Sequence, residues 1–234
     1  MNYLELAVKA RQECGASGTG PAAVTNQTGE SKRIVDWAAD AWTEIQNRHE
    51  NWKWMRSSFT FNTVLNDDTY AFGGCTDTKT SAAIARFARW WWENLEYSFR
   101  IYLQSSGVAT EGWLIPMDYE QFKRRYRFGT QNNGFPAHYT IDEDDNILLG
   151  PKPNGVYVVS GDYQRGALVL AANSDTPDMP ARFHMLIVYE AMLKYAGYES
   201  AQEVWTRAMA HRGVLMRQLE GNQLPQMKLA EPLA

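Results

Sequence analysis

Asp142, Asp144 and Asn146 carry the alternating oxygen spacing that opens a calcium-binding loop. Such a loop also needs glycine at its sixth position for the sharp turn and glutamate at its twelfth to close the oxygen shell. Those positions hold Ile147 and Pro153, so the cluster reads as a solvated hairpin turn. The four histidines, His49, His138, His184 and His211, make no H-E-x-x-H pair and no close cluster with carboxylates, and there is no G-x-S-x-G elbow. Hydrolytic chemistry therefore has no foothold in local sequence. A glycine-rich stretch at 15–29 lacks the Gly-Lys-Ser/Thr of a phosphate loop and reads as a connector. Cys14 and Cys75 lack metal-knuckle spacing and read as two buried neutral thiols. No metal and no cofactor are expected.

Two patterns point to binding rather than catalysis. Tryptophans near Asp67, Asp68, Glu93, Glu96 and Glu111 could stack on sugar rings while a carboxylate pair served as glycosidase acid and nucleophile. Carboxylates are common enough that such pairs arise in any chain of this size. Lys123, Arg124, Arg125 and Arg127 interleave with Phe122, Tyr126 and Phe128, a pattern that suits single-stranded nucleic acid. Tyr119, Phe122 and Tyr126 fall at i, i+3 and i+7, however, which favours a packed helix with an outward basic face. That face can still meet DNA phosphates or another subunit.

Composition bounds these readings. The chain has 234 residues, 44% of them hydrophobic, and a net charge of -4, the profile of a folded protein without the basic excess of a free-standing nucleic-acid binder. Glu5, Lys9 and Arg11 interrupt any signal-peptide core, and no apolar run approaches the roughly 20 residues of a membrane span.

The elements that must position these residues are legible in outline. Residues 1–14 read as an amphipathic helix. Ile34, Trp37, Ala38, Ala41, Trp42, Ile45 and Trp52 predict a second helix over 31–52. Phe59, Phe61 and Thr63 alternate as in a half-buried strand, with turn chemistry at Asn66, Asp67 and Asp68. The aromatic segment 87–103, containing Trp90, Trp91 and Trp92, is β-prone, either as one bent strand or as a hairpin through Glu93 and Asn94. Asp118 with Gln121 resembles an N-cap opening a short helix to about Tyr126. Residues 138–141, 147–149 and 156–163 predict a β-meander. Helices follow, one capped by Asp178 and ended by Gly197, the next opened by Ser200 with Glu203 and ended by Gly221. Val204, Ala208, Leu215 and Leu219 form its apolar stripe, and 224–234 reads as an irregular tail.

The fold class implied is α+β, a helical bundle formed by N- and C-terminal helices with an inserted antiparallel β-rich region. Its expected divisions are 1–56 for the N-terminal helices, 57–172 for the β-rich insertion with its short helix, 173–221 for the C-terminal helices and 222–234 for the tail.

Several local strings resemble the head-to-tail adaptor (head completion or tail tubular) proteins of tailed bacteriophages. They are Ile34-Val35-Asp36-Trp37 with Trp42-Thr43-Glu44-Ile45-Gln46, Trp52-Lys53-Trp54-Met55-Arg56, Leu114-Ile115-Pro116-Met117-Asp118, Asn146-Ile147-Leu148-Leu149, and Asp175-Thr176-Pro177 on to Tyr195-Ala196-Gly197-Tyr198. The resemblance implies a non-enzymatic ring subunit of twelve copies, assembled in the host cytoplasm and resident in the virion. Its implied partners are the portal protein, the tail or next connector, and DNA crossing the channel without sequence-specific binding, with no membrane involved. It makes Leu219, Leu224, Pro225, Met227 and Leu229 candidates for portal docking. Lys123, Arg124, Arg125 and Arg127 become DNA- or subunit-facing candidates, and Trp90, Trp91 and Trp92 inter-subunit or tail-facing ones. From the residues alone two alternatives stay open, a Trp-lined carbohydrate-binding or glycan-cleaving protein and an accessory nucleic-acid-binding protein.

Overall fold

A computed structural model of the chain describes residues 1–18, 20–91 and 98–225. Its helices are α1 (Tyr3–Glu13), α2 (Gly29–Asn47), α3 (Tyr119–Tyr126), α4 (Met185–Glu199) and α5 (Gln202–Gln223). The strands are β1 (Arg56–Asn62), β2 (Thr69–Tyr70), β3 (Thr76–Asp77), β4 (Ala82–Ala83), β5 (Arg89–Trp90), β6 (Arg100–Leu103), β7 (Gly112–Trp113), β8 (Ile115–Pro116), β9 (His138–Ile141), β10 (Ile147–Gly150) and β11 (Tyr157–Gln164). N- and C-terminal helices flank a β-rich region, so the fold is α+β. The chain divides into a helical unit, Met1–Met55 with Ala167–Ala234, and a β unit, Arg56–Gly166.

In the helical unit α4 is the central element and touches α1, α2 and α5. Leu186, Ile187, Val188, Ala191 and Met192 are all buried, as a helix apolar on several faces requires. The helix α1 is opened by a capping box: Asn2 Oδ1 accepts from the Glu5 amide at 2.8 Å, and the Asn2 amide donates to Glu5 Oε2 at 2.9 Å. Its Tyr3, Leu6, Ala7 and Ala10 turn inward together. On α2 the buried residues are Ile34, Val35, Ala38, Ala41, Trp42, Ile45 and Gln46.

That helix stops five residues short of the expected Trp52. The reason is the tryptophan itself, which folds back so that its indole N–H donates to the carbonyls of Ile45 and Gln46, both at 3.1 Å. Carbonyls of a last turn lack intrahelical partners, and Trp52 supplies one from outside. Gln46, a polar residue that periodicity alone does not flag, is buried because its amide bonds both backbone groups of Leu168, at 3.0 and 2.7 Å.

The C-terminal helix boundaries also differ from expectation. Pro180 precedes a short 3-10 turn, Ala181–Phe183, before α4 begins. Gly197 does not end α4; Ser200 does, in the left-handed conformation at φ 55°, with the Ala201 amide returning to the Ala196 carbonyl at 3.0 Å. Ser200 is thus a C-cap and not half of a capping box, and α5 starts without a side-chain cap. Gly221 lies inside α5, where glycine costs only about 1 kcal/mol and does not by itself terminate a helix.

In the β unit seven strands form one sheet in the order β4-β3-β1-β11-β6-β7, with β5 also on β11, and four form a second, β2-β10-β9-β8. Both sheets bury side chains in a shared core that includes Phe59, Trp90, Phe99, Tyr139, Ile147 and Val159. The expected meander is broken after its first hairpin. β9 and β10 pair, but β11 leaves them and pairs with β1 from Asn62↔Val158 to Arg56↔Gln164. Pro151 and Pro153 lack the N–H needed to continue a ladder, and the alternating Tyr157, Val159, Gly161 and Tyr163 match Ser57, Phe59 and Phe61 on the same face.

Strands β5 and β6 both run antiparallel to β11, against Tyr163–Gln164 and Tyr157–Ser160 respectively, so they follow one another in the same direction. Among the described residues the aromatic segment thus contributes two strands to the same neighbour, one before and one after 92–97.

The short helix α3 begins where Asp118 and Gln121 predict. The Asp118 carboxylate accepts from the amides of Glu120 and Gln121 at 3.1 and 3.3 Å. It packs on the second sheet because Gly150 has no side chain: a Cβ there would overlap the Tyr126 ring and lie 2.8 Å from Phe122. Gly150→Ala is accordingly expected to destabilise the β unit by about 1–3 kcal/mol, the usual cost of overpacking. Thermal unfolding and amide exchange on α3 measure it; an unchanged midpoint with unchanged α3 protection would contradict the close packing.

Candidate docking surfaces

The chemistry tested in the sequence can now be placed. Asp142 spends its carboxylate on the hairpin, accepting from the amides of Asp144 and Asn146 at 3.0 and 2.8 Å and from Asn146 Nδ2 at 3.0 Å. Among the described residues no group of His, Cys, Asp and Glu is arranged to hold a metal ion. The histidines have separate partners: His49 with Glu220 at 3.0 Å, His138 Nδ1 with the Tyr126 hydroxyl at 2.8 Å, His184 Nε2 with the Met179 carbonyl at 3.0 Å, and His211 stacked on Tyr189. Burial lowers the pKa of His184, and burial followed by the charge of Arg125 lowers that of His138. Both cysteines are buried, and burial pushes each thiol up to about 12, which keeps them protonated and unreactive.

Of the carboxylates considered for glycan cleavage, Asp68 pairs with Arg127 at 3.4 Å and Glu111 with Arg100 at 3.4 Å, while Asp67 Oδ1 accepts from the Thr69 amide. Glu93 and Glu96 lie outside the described residues. Among the described residues Trp42, Trp52 and Trp90 are fully buried in the two cores and offer no ring face to a sugar.

What the structure leaves open to partners is a set of surfaces. On α3, Phe122 is buried while Lys123, Arg124, Arg125 and Arg127 are all exposed. Lys123 reaches Glu120 at 3.6 Å, Arg125 lies over the Tyr126 ring, and Phe128 projects beside them at 79% exposure. On α5 the buried residues are Ala208, Met216 and Leu219, and Val204 and Leu215 are partly buried against the same core. Leu219 therefore anchors α5 in the helical core, Leu224 is partly buried against that core, and Pro225 is exposed. The candidates Met227 and Leu229 lie outside the described residues. Residues 1–227 match the family model of the SU10 adaptor protein.

The chain belongs to the SU10 adaptor protein family.

Comparison with curated protein sequences finds no match. The family match takes in both units of this SU10 adaptor, the helical one to the end of α5 and the β unit entire. Of the aromatic triplet, Trp90 and Trp91 fall among the described residues and differ in burial. Trp90 sits in the β core and donates its indole N–H to the Asp145 carbonyl at 2.6 Å. Trp91 is half-buried, with the guanidinium groups of Arg56 and Arg89 over its ring at 4.6 and 5.2 Å, and Trp92 lies outside the described residues. Sequence reading missed the adaptor's outer α5 face, where Trp205 and Met209 are 42% and 44% exposed. Their i, i+4 spacing was the available signal, masked by the competing stripe of Val204, Ala208, Leu215 and Leu219.

Proposed function

We propose that this SU10 adaptor is a non-enzymatic ring subunit of the phage head-to-tail interface. It docks on the portal, joins the DNA-filled capsid to the tail and continues the DNA channel, as twelve copies assembled in the host cytoplasm. The observation that carries this reading is the family match across residues 1–227, since it embraces both units and not a shared fragment. In this reading the end of α5 is the portal side. Its last turns are tethered by His49 to Glu220 and by Lys53 Nζ to the Asn222 carbonyl at 3.4 Å, so whatever follows Pro225 leaves from a fixed point. The exposed cations of α3 face DNA or a neighbouring subunit, and a net charge of -4 keeps the DNA contact weak and without sequence preference.

Purified chain mixed with its cognate portal and imaged by electron microscopy is expected to show rings on the portal. Absence of rings, together with saccharide binding that quenches tryptophan fluorescence, would sink the adaptor reading. Tight DNA binding at physiological salt would favour the accessory nucleic-acid role instead. Truncation after Leu224 is expected to leave thermal unfolding unchanged while weakening portal docking; normal docking by the truncated chain would move the contact elsewhere.

A further inference from the structure

Helix α3 and strand β9 lie alongside one another in opposite directions. At one end the Tyr126 hydroxyl bonds His138, the first residue of β9, and at the other a hydrogen bond with Glu143 raises the pKa of the Tyr119 hydroxyl. This layer is electrically polarised along its length. Its Tyr126 end carries Arg124, Arg125 and Arg127, followed by the projecting Phe128. The Tyr119 end carries Asp118 and the consecutive Asp142, Glu143, Asp144 and Asp145 of the β9–β10 turn. Among the described residues, neither Arg124, Arg125 nor any carboxylate of that turn forms an ion pair.

The two ends also differ in shape. Beside the acidic turn lies a mainly apolar cavity of about 500 Å³, lined by Pro116, Met117, Tyr119, Tyr139 and Ile141. At the basic end the hollow beside Tyr126 and Arg127 is polar and smaller, about 340 Å³, and the exposed phenyl ring of Phe128 projects there. An aromatic anchor flanked by cations and an apolar pocket flanked by carboxylates are complementary in both respects, the arrangement that gives an interface its anchor and its register. They cannot meet within one chain, because the eight residues of α3 hold them about 12 Å apart.

We propose that the basic end of this layer docks on the acidic end of the same layer in a second copy, with Phe128 of one copy seated in the Met117–Tyr139 cavity of the next. Joining unlike ends makes the contact heterologous, so it propagates from copy to copy and closes only as a ring. The proposal rests on the adaptor reading in placing a second copy alongside the first.

Cysteines introduced as Met117→Cys and Phe128→Cys in one chain test it directly, since the native thiols are buried. The full chain, free and bound to its portal, is oxidised and resolved on a denaturing gel. A ladder extending beyond the dimer is expected. Products that stop at the dimer overturn the head-to-tail arrangement. Normal rings on the portal without a ladder overturn the contact and leave the adaptor reading standing, whereas a ladder from a chain that never decorates the portal supports the contact and removes that reading.

A charge exchange guards against misfolding of the cysteine variant. Arg124→Glu with Arg125→Glu, and separately Glu143→Lys with Asp144→Lys, should each weaken ring formation by at least about tenfold, as like charges facing one another do. An equimolar mixture of the two variants should restore it, because every contact is then between unlike charges. Failure of the mixture to recover, with both variants folded by circular dichroism, overturns the proposal.

Discussion

Replacing Trp90 by alanine is expected to destabilise the β unit by about 3–5 kcal/mol, the range for deleting a fully buried large aromatic. The indole is 1% exposed, and its ring centroid lies 4.6 Å from Phe59 and 4.7 Å from Phe87, with Phe99 and Tyr163 completing the surround. Loss of the ring removes these contacts and also leaves the Asp145 carbonyl without its donor. Trp91→Ala is the control. Neighbours on a strand face opposite ways, so Trp91 stands outside the core under two guanidinium groups, and its removal should cost no more than about 1 kcal/mol. Calorimetric unfolding, with amide exchange on β11 to assign the transition, measures both. Equal effects from the two substitutions would contradict the placement of Trp90 in the core.

Asp77→Ala is expected to be nearly as damaging, at about 3 kcal/mol, because it strips the acceptor from several buried donors at once. The carboxylate is 5% exposed and accepts from the hydroxyls of Tyr163 and Ser57 and from the amides of Lys79 and Thr80. Burial by itself pushes the pKa of Asp77 up. The hydrogen bond from Tyr163, then those from Lys79, Ser57 and Thr80, outweigh it, and the net pKa lies below the ordinary carboxylate value. The same contact and burial raise the Tyr163 hydroxyl, burial being the larger cause.

The sign of the pH dependence follows. A group whose folded pKa is depressed binds fewer protons folded than unfolded, so stability rises with pH over that interval. The Asp77 contribution is therefore complete above the unfolded carboxylate pKa of about 4 and is lost as pH falls through the lower folded value. Chemical denaturation from pH 7 down to pH 2 should show the gap between wild type and Asp77→Asn narrowing at the acid end. A gap that widens there would show that burial, and not the hydrogen bonds, governs this carboxylate.

Local rules performed well where the determinant was itself local. The alternation of Phe59 and Phe61, the Asp118 cap of α3 and the Asp142 hairpin turn each depend on residues within a few positions, and each is where the sequence places it. The inward turn of Phe122 beneath four outward cations follows from the same 3.6-residue period. Misplaced boundaries had causes that residue type does not announce. The end of α2 depends on Trp52 returning to its carbonyls, and the end of α4 on a serine held in a left-handed conformation that its type does not announce. Gln46 is buried only because Leu168, far along the chain, offers both backbone groups to it.

The sequence by itself determined the α+β class, the flanking of a β-rich region by terminal helices, and the resemblance to phage adaptors, since these are carried by periodicity and short motifs. Tertiary structure alone decided the partner of β11, the inward fate of Trp90, and the polarised layer with Phe128 at one end and an apolar cavity at the other. The physical reason is the same in each case. Strand partners and burial are set by contacts between residues many tens of positions apart, and no local pattern encodes which distant surface will be there to meet them.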